Sequence, residues 1–251
     1  MGLSLSWLHC RTKRPPSGGF FISRIRMKTI VYVDGYNFYF GVLRGTPYKW
    51  LDIVAIVKHI CHIQNPNIDV TSVKFFTAPV ITRLATQGEK SQQSQDVYHK
   101  ALLNRHPETI EIINGYYLME KGTPPKYKTP VDKKDRVDVW KLEEKQTDVN
   151  IALHLYRDAV KRQCEQAVLV SSDSDLESAL KFISADFPDH KIGLILPRRQ
   201  SGDDKQRPVN KGLSNYSDWT RQHVLDEELE KFQLPSRVPT KKKPAIKPDY
   251  W

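Results

Sequence analysis

The chain has 251 residues, 39% of them hydrophobic, which is enough for the core of one sizeable α/β domain. Because no run of eighteen apolar residues occurs, we expect no membrane-spanning helix and no membrane partner. The three cysteines lack the spacing of a metal site or a disulfide framework, and such usage is typical of a reduced, cytoplasmic protein.

The net charge of +10 is concentrated at the two ends of the chain. Residues 1–27 carry five basic groups and no acid, and residues 235–251 carry five basic groups and one acid, so subtraction leaves only +1 for residues 28–234. We expect residues 1–27 to be an extension outside the fold, residues 28–234 to form the domain, and residues 235–251 to be a disordered tail rich in Pro and Lys. A nearly neutral body does not by itself indicate a nucleic-acid-binding surface.

The hydrophobic pattern predicts an alternation of strands and helices. Apolar and β-branched runs predict strands at residues 29–34, 70–80, 109–119, 166–173 and 191–197. Apolar residues at helical spacing predict helices at residues 51–63, 91–106, 147–163 and 175–187. Residues 120–136 predict a long loop that could act as a flap, and residues 213–234 predict a weaker helix or strand. Together these elements predict a three-layer, Rossmann-like α/β fold around a mostly parallel sheet.

Acidic side chains follow two of the predicted strands. Asp34 ends the first strand, and Asp173 and Asp175 follow the fourth. Asp148 begins the helix that leads into the fourth strand. Ligands of open parallel sheets bind beyond the carboxyl ends of the strands, so we expect these acids to converge at one edge, with Asn37 beside them.

Clustered carboxylates repel one another, and a hard divalent cation such as Mg²⁺ or Mn²⁺ relieves that repulsion. The alternative for each acid alone is a helix cap or a turn. A capping role explains Asp148 as well as a metal-ligand role does. For Asp175, a capping role is the better explanation of the two.

Three stretches of the sequence resemble the motifs of the NYN domain, a branch of the PIN-like nucleases. They are "YVDGYNFYFG", "EEKQTDVNIALHL" and "VLVSSDSDLESAL", and the resemblance covers about residues 28–200. It implies a PIN-like fold and metal-dependent cleavage of RNA, with Mg²⁺ or Mn²⁺ as cofactor and RNA as partner. The catalytic residues that it implies are Asp34, Asn37, Asp148 and Asp173. The metal ligands that it implies are Asp34, Asp148, Asp173 and Asp175. Ser172 stands where the family often has glycine.

A longer resemblance indicates a different chemistry. "VDGYNFYFGVLRGTPYKWLD", together with "LILPRR" at the end of the domain, is similar to NYN proteins that hydroxylate a pyridine in bacterial nicotine degradation. This resemblance implies a small pyridine substrate, NADH and O₂ as co-substrates, and 2,5-dihydroxypyridine and succinate semialdehyde as products; it leaves a flavin open. No G-x-G-x-x-G occurs, so the usual dinucleotide fingerprint is missing. A hydroxylase, a metal-dependent ribonuclease and a non-catalytic binding module stay as alternatives, and the longer resemblance favours the hydroxylase.

Aromatic residues crowd the segment that follows Asp34. They are Tyr36, Phe38, Tyr39, Phe40, Tyr48 and Trp50. Most are expected in the core, but one or two that face the cleft would form a flat wall for a nucleobase, a hydroxypyridine or a nicotinamide. The candidate partners for a carboxylate or phosphate of the ligand are Arg44, Arg198 and Arg199.

Overall fold

The structure, a computed structural model, describes residues 26–200 and 211–251. The strands in these residues are β1 (Met27–Asp34), β2 (Ile68–Thr77), β3 (Ile110–Asn114), β4 (Tyr116–Gly122), β5 (Val139–Lys145), β6 (Gln166–Val170), β7 (Lys191–Ile195), β8 (Trp219–Arg221), β9 (Arg237–Val238) and β10 (Ala245–Ile246). The α-helices are α1 (Gly35–Phe38), α2 (Ile53–Gln64), α3 (Glu89–Arg105), α4 (Thr147–Val160), α5 (Glu177–Asp186), α6 (Lys211–Asn215) and α7 (Asp226–Lys231). A π-helical turn spans Tyr39–Leu43, and a 3₁₀ turn spans Ser174–Leu176.

A six-stranded sheet forms the centre of the domain, with the strand order β3-β2-β1-β6-β7-β8. Every neighbouring pair in it is parallel. The order reverses between β1 and β6, so the loops that leave these two strands diverge and open a crevice at their carboxyl ends. This arrangement confirms the predicted three-layer, Rossmann-like α/β fold.

The central strands are covered on both faces, which explains why their sequences read as continuous apolar runs. All five residues of β6 are buried, and β1 is buried from Thr29 onward. Helices α2 and α3 pack on one face of the sheet around the fully buried Trp50. Helices α4 and α5 pack on the other face, where Ile151 and Leu155 contact the core. Within the described residues, no helix is long and apolar enough to cross a membrane.

The segment after β3 differs from the prediction of one strand at 109–119 followed by a loop. The strand breaks at Gly115, and β4 then pairs with β5 as an antiparallel hairpin that stands apart from the central sheet. A Cβ atom on Gly115 would lie 2.5 Å from Thr147 Oγ1 and 2.6 Å from the carbonyl oxygen of Lys145. Only glycine therefore allows the hairpin base to approach the start of α4 this closely.

The prediction of a disordered tail at residues 235–251 is wrong, because these residues fold back onto the domain. Strands β9 and β10 pair with each other, and Trp50 donates a hydrogen bond of 2.8 Å from Nε1 to the carbonyl oxygen of Pro235. The ring of Trp251 lies 6.2 Å from that of Trp50 and 5.8 Å from that of Tyr98. These aromatic contacts give the segment an apolar anchor that its Pro- and Lys-rich composition conceals.

The predicted extension, residues 1–27, lies outside the described residues apart from its last two positions. Of these, Met27 is the first residue of β1 and pairs with Ile68. In the structure the first strand thus begins one residue before the predicted domain boundary.

Candidate active site

Asp34 is the last residue of β1 and lies at the crevice between β1 and β6. It is only 2% exposed. Its Oδ1 accepts a hydrogen bond of 3.0 Å from the backbone N–H of Asn37, which caps the short helix α1. Its Oδ2 accepts hydrogen bonds from Asn37 Nδ2 at 2.8 Å and from Ser171 Oγ at 2.9 Å. Burial raises the pKa of Asp34 above its ordinary value, and these three hydrogen bonds oppose that rise by stabilising the ionised form.

Asn37 links the loops that leave the two central strands. Its side-chain oxygen accepts a hydrogen bond of 2.8 Å from Ser172 Oγ, so Asn37 contacts Asp34 on one side and the β6 loop on the other. Ser171 Oγ, which donates to Asp34, also accepts a hydrogen bond of 3.1 Å from the backbone N–H of Asp173. The serine at position 172, where the family often has glycine, thus takes part in the network instead of weakening it.

Asp173 and Asp175 both lie in the turn after β6. Asp173 Oδ1 accepts a hydrogen bond of 3.0 Å from the backbone N–H of Asp175, and Asp173 thereby caps the 3₁₀ turn. Asp175 does not cap α5 as expected, because that helix begins at Glu177 and its N-cap residue is Leu176. This leaves the Asp175 side chain exposed at the edge of the crevice.

Asp148 lies in the first turn of α4 and completes the group of predicted acids. Capping does not explain it, because the N-cap of α4 is Gln146, with a left-handed backbone at φ 75°, and no side chain caps this helix. The pKa of Asp148 is raised to about 6, first by loss of hydration and then by the negative charges of Asp173 and Asp34. The charges of Asp173 and Asp34 thus reach Asp148, and the role of the three acids as one site stays a prediction.

Glu144, near the end of β5, belongs to the same group of acids and was missed by the sequence analysis. Its side chain accepts a hydrogen bond from Thr147 Oγ1. Burial and the charge of Asp34 raise its pKa. In the sequence, Glu144 stands four residues before Asp148, and this spacing alone does not indicate a site residue. Glu144 is recognised as one only when residues 139–145 are known to form a strand that ends at the crevice.

The aromatic segment divides between the core and the surface. Phe38 and Trp50 are buried in the core, as expected for most of the set. The rings of Tyr36 and Phe40 lie 5.1 Å apart, and Phe40 is 48% exposed. On the hairpin side, the ring of Tyr117 lies 5.7 Å from that of Tyr36. Tyr117, Tyr36 and Phe40 form a row, here called the aromatic wall, that leads away from the acids.

A guanidinium group lies at the outer end of the aromatic wall. The Cζ atom of Arg44 lies 5.2 Å above the centroid of the Phe40 ring. Arg199, another arginine considered as an anion partner, instead forms a 2.6 Å ion pair with Asp226. Arg44 therefore fits the anion-binding role better than Arg199 does.

Comparison with known proteins identifies the family of this chain. The family described as the NYN domain matches residues 28–186, which include the whole group of acids. The chain belongs to the NYN domain family. This NYN protein is also 40% identical, over 246 aligned residues, to the 6-hydroxy-3-succinoylpyridine 3-monooxygenase HspA of Pseudomonas putida. That alignment covers 90% of this chain and 75% of the relative. A solved structure of a protein of unknown function from Vibrio parahaemolyticus covers 84% of this chain and 98% of its own, at a TM-score of 0.44 and 16% identity.

The acids of this NYN domain were expected to hold a divalent cation. Within residues 26–200 and 211–251, no three His, Cys, Asp or Glu side chains are placed to hold one ion together. The metal set of Asp34, Asp148, Asp173 and Asp175 therefore stays a prediction.

A dinucleotide does not fit the usual position at the first strand-to-helix turn either. In ordinary dinucleotide-binding folds the pyrophosphate lies at the N-terminus of the helix that follows the first strand. Here that helix is the four-residue α1, and its N-cap is the carboxylate of Asp34. A phosphate at this turn would meet a negative charge, so this turn does not suit a dinucleotide.

Proposed function

We propose that this NYN protein is a monooxygenase that hydroxylates 6-hydroxy-3-succinoylpyridine, with NADH as electron donor and O₂ as oxidant. The observation that carries the proposal is the 40% identity to the Pseudomonas putida enzyme over 90% of this chain. The region aligned with that enzyme extends beyond the NYN family match, which ends at residue 186, so the likeness is not limited to the part of the chain that the family shares. The products proposed are 2,5-dihydroxypyridine and succinate semialdehyde.

The surface beside the acids suits such a substrate. The aromatic wall offers flat apolar area against which a pyridine ring can stack. Arg44, above Phe40, offers a cation for the carboxylate at the end of the succinoyl chain. The aromatic wall thus suits the ring of the substrate, and the neighbouring Arg44 suits its carboxylate.

The β4–β5 hairpin favours a small molecule over RNA. Residues 116–145 hold eight basic and six acidic side chains, so their charges nearly cancel. Lys126 and Lys128 both pair with Asp135, and Lys121 pairs with Asp138 at 2.7 Å. A protein that follows a phosphate backbone uses basic groups that are available to phosphates. These three lysines are thus held by acids of the same hairpin.

The proposed reaction consumes O₂ and electrons from NADH. One oxygen atom of O₂ enters the ring and the other leaves as water, while the succinoyl group departs as an aldehyde. Reduction of the second oxygen atom to water takes one electron pair, and release of the succinoyl group as an aldehyde takes another. NADH consumption should therefore exceed product formation. Asp148, whose pKa of about 6 lies close to neutral pH, is suited to exchange a proton with the hydroxypyridine.

The test is NADH oxidation by the purified protein, with and without 6-hydroxy-3-succinoylpyridine, beside an Asp34→Asn variant prepared in parallel. We expect oxidation that depends on the substrate in the wild type and is lost in the variant. Circular dichroism of the variant must match the wild type, because Asp34 also caps α1. Absence of oxidation with added flavin or metal, together with RNA cleavage in Mn²⁺, would instead establish the ribonuclease.

A further inference from the structure

Tyr117, on β4, holds a buried hydroxyl group close to the candidate site. Its oxygen is buried, and no group in the described residues forms a hydrogen bond of good geometry with it. The Tyr36 hydroxyl lies close enough to affect the pKa of Tyr117 but outside that geometry. Buried polar groups are normally paired, so an unpaired hydroxyl beside a candidate site calls for an explanation.

The position of Tyr117 places this hydroxyl at the inner end of the aromatic wall. Its ring lies 5.7 Å from that of Tyr36, whose own ring lies 5.1 Å from Phe40. In the hairpin Tyr117 is directly opposite Glu144, and residues directly opposite one another share a face of a two-stranded sheet. The hydroxyl therefore lies where the apolar wall meets the acids.

The hydroxyl is equipped to donate a hydrogen bond. Burial, the Tyr36 hydroxyl and the charge of Glu144 all raise its pKa, so it keeps its proton at any physiological pH. Phenylalanine would give the same stacking area without the cost of an unpaired buried hydroxyl. A ligand that brings an acceptor into this position would remove that cost.

We propose that Tyr117 donates a hydrogen bond to the ring oxygen of the substrate and so selects a hydroxylated pyridine over the same pyridine without that oxygen. The inference rests on the proposed function, since it assigns a specificity-determining residue for that substrate. The oxygen of a 6-hydroxypyridine stands on the carbon next to the ring nitrogen, so the donor and Glu144 would meet adjacent ring positions. The carboxylate of Glu144 suits the ring N–H that this heterocycle carries in its keto form.

The test compares Tyr117→Phe with the wild type in binding two ligands, 6-hydroxy-3-succinoylpyridine and 3-succinoylpyridine, which lacks the ring hydroxyl. Calorimetric titration without NADH measures affinity in the absence of turnover. The matched control is Tyr116→Phe, because Tyr116 is the neighbouring residue on the opposite face of the hairpin and is 48% exposed.

We expect Tyr117→Phe to weaken binding of the hydroxylated ligand by about tenfold, the upper range for one neutral hydrogen bond, and to leave the other ligand unchanged. Its melting temperature should equal or exceed that of the wild type, because no native hydrogen bond is lost. Tyr116→Phe should change neither affinity.

Equal weakening for both ligands, no weakening, or a lower melting temperature for Tyr117→Phe would each overturn the assignment while leaving the proposed function intact. Failure of the wild type to bind either ligand would overturn the proposed function, and this inference with it. The two failures are therefore distinguishable in a single set of titrations.

Discussion

A buried ion pair attaches α4 to the sheet, and its removal is the perturbation that best tests how the site is held. Lys74 Nζ, on β2, contacts Asp158 Oδ2, on α4, and the same oxygen accepts a hydrogen bond of 2.8 Å from the Tyr32 hydroxyl. The side chain of Asp158 is fully buried, and that of Lys74 is 7% exposed. Because the first turn of α4 carries Asp148, this pair also positions the crevice.

Lys74→Met should destabilise the protein strongly, because it leaves the carboxylate of Asp158 buried without its close cation. Breaking a buried pair in this way costs about 3–5 kcal/mol. For a domain of this size each kcal/mol lowers the melting temperature by about 2–4 °C, so we expect a fall of about 6–20 °C. The double variant Lys74→Met/Asp158→Asn should recover most of the loss, since it removes both charges and keeps an acceptor for Tyr32.

Urea unfolding and thermal melts give the measurement, and Lys191→Met is the matched control. Lys191 forms a 2.9 Å ion pair with Asp218, but its side chain is 48% exposed, so its loss should cost less than about 1 kcal/mol. The reasoning is refuted if Lys74→Met costs no more than Lys191→Met, or if the double variant is no more stable than the single one.

Three further changes test the crevice itself. The raised pKa of Asp148 means that its contribution to stability is full below its ordinary value near 3.8 and is lost as pH rises through about 6. Asp148→Asn should therefore gain stability relative to the wild type as the pH rises from about 4 to about 7, which melting temperatures measured across this range would show. An identical pH dependence of the melting temperature in both proteins would contradict the raised pKa of Asp148. Gly115→Ala should cost about 1–3 kcal/mol in urea unfolding, because its Cβ would press on Thr147, and an unchanged midpoint would disprove that contact. Arg44→Met should raise KM for the succinoylpyridine by about tenfold with KM for NADH unchanged, whereas Lys49→Met should alter neither; equal effects of the two variants would remove Arg44 from the site.

The sequence alone determined the centre of the fold and the acids at its edge. Strands β1 and β6 are buried on both faces, so they read as unbroken apolar runs, and the acids after them stand out against that background. Helix α2 was also predictable, because its apolar spacing follows a cap: Asp52 accepts a hydrogen bond of 3.0 Å from the backbone N–H of Ala55. Each of these patterns lies within one short segment, so it can be recognised without knowing which other segments pack against it.

Only the tertiary structure decided which of the remaining residues belong to the site. Strand β5 has both faces partly in water, and four of its seven residues are charged, so its sequence lacks the alternation that marks a half-buried strand. Glu144 and Tyr117 join the crevice only through that pairing. The tail likewise folds because Trp251 reaches Trp50, a contact between residues two hundred positions apart. Burial of this kind depends on what the rest of the chain supplies, and no local pattern records it.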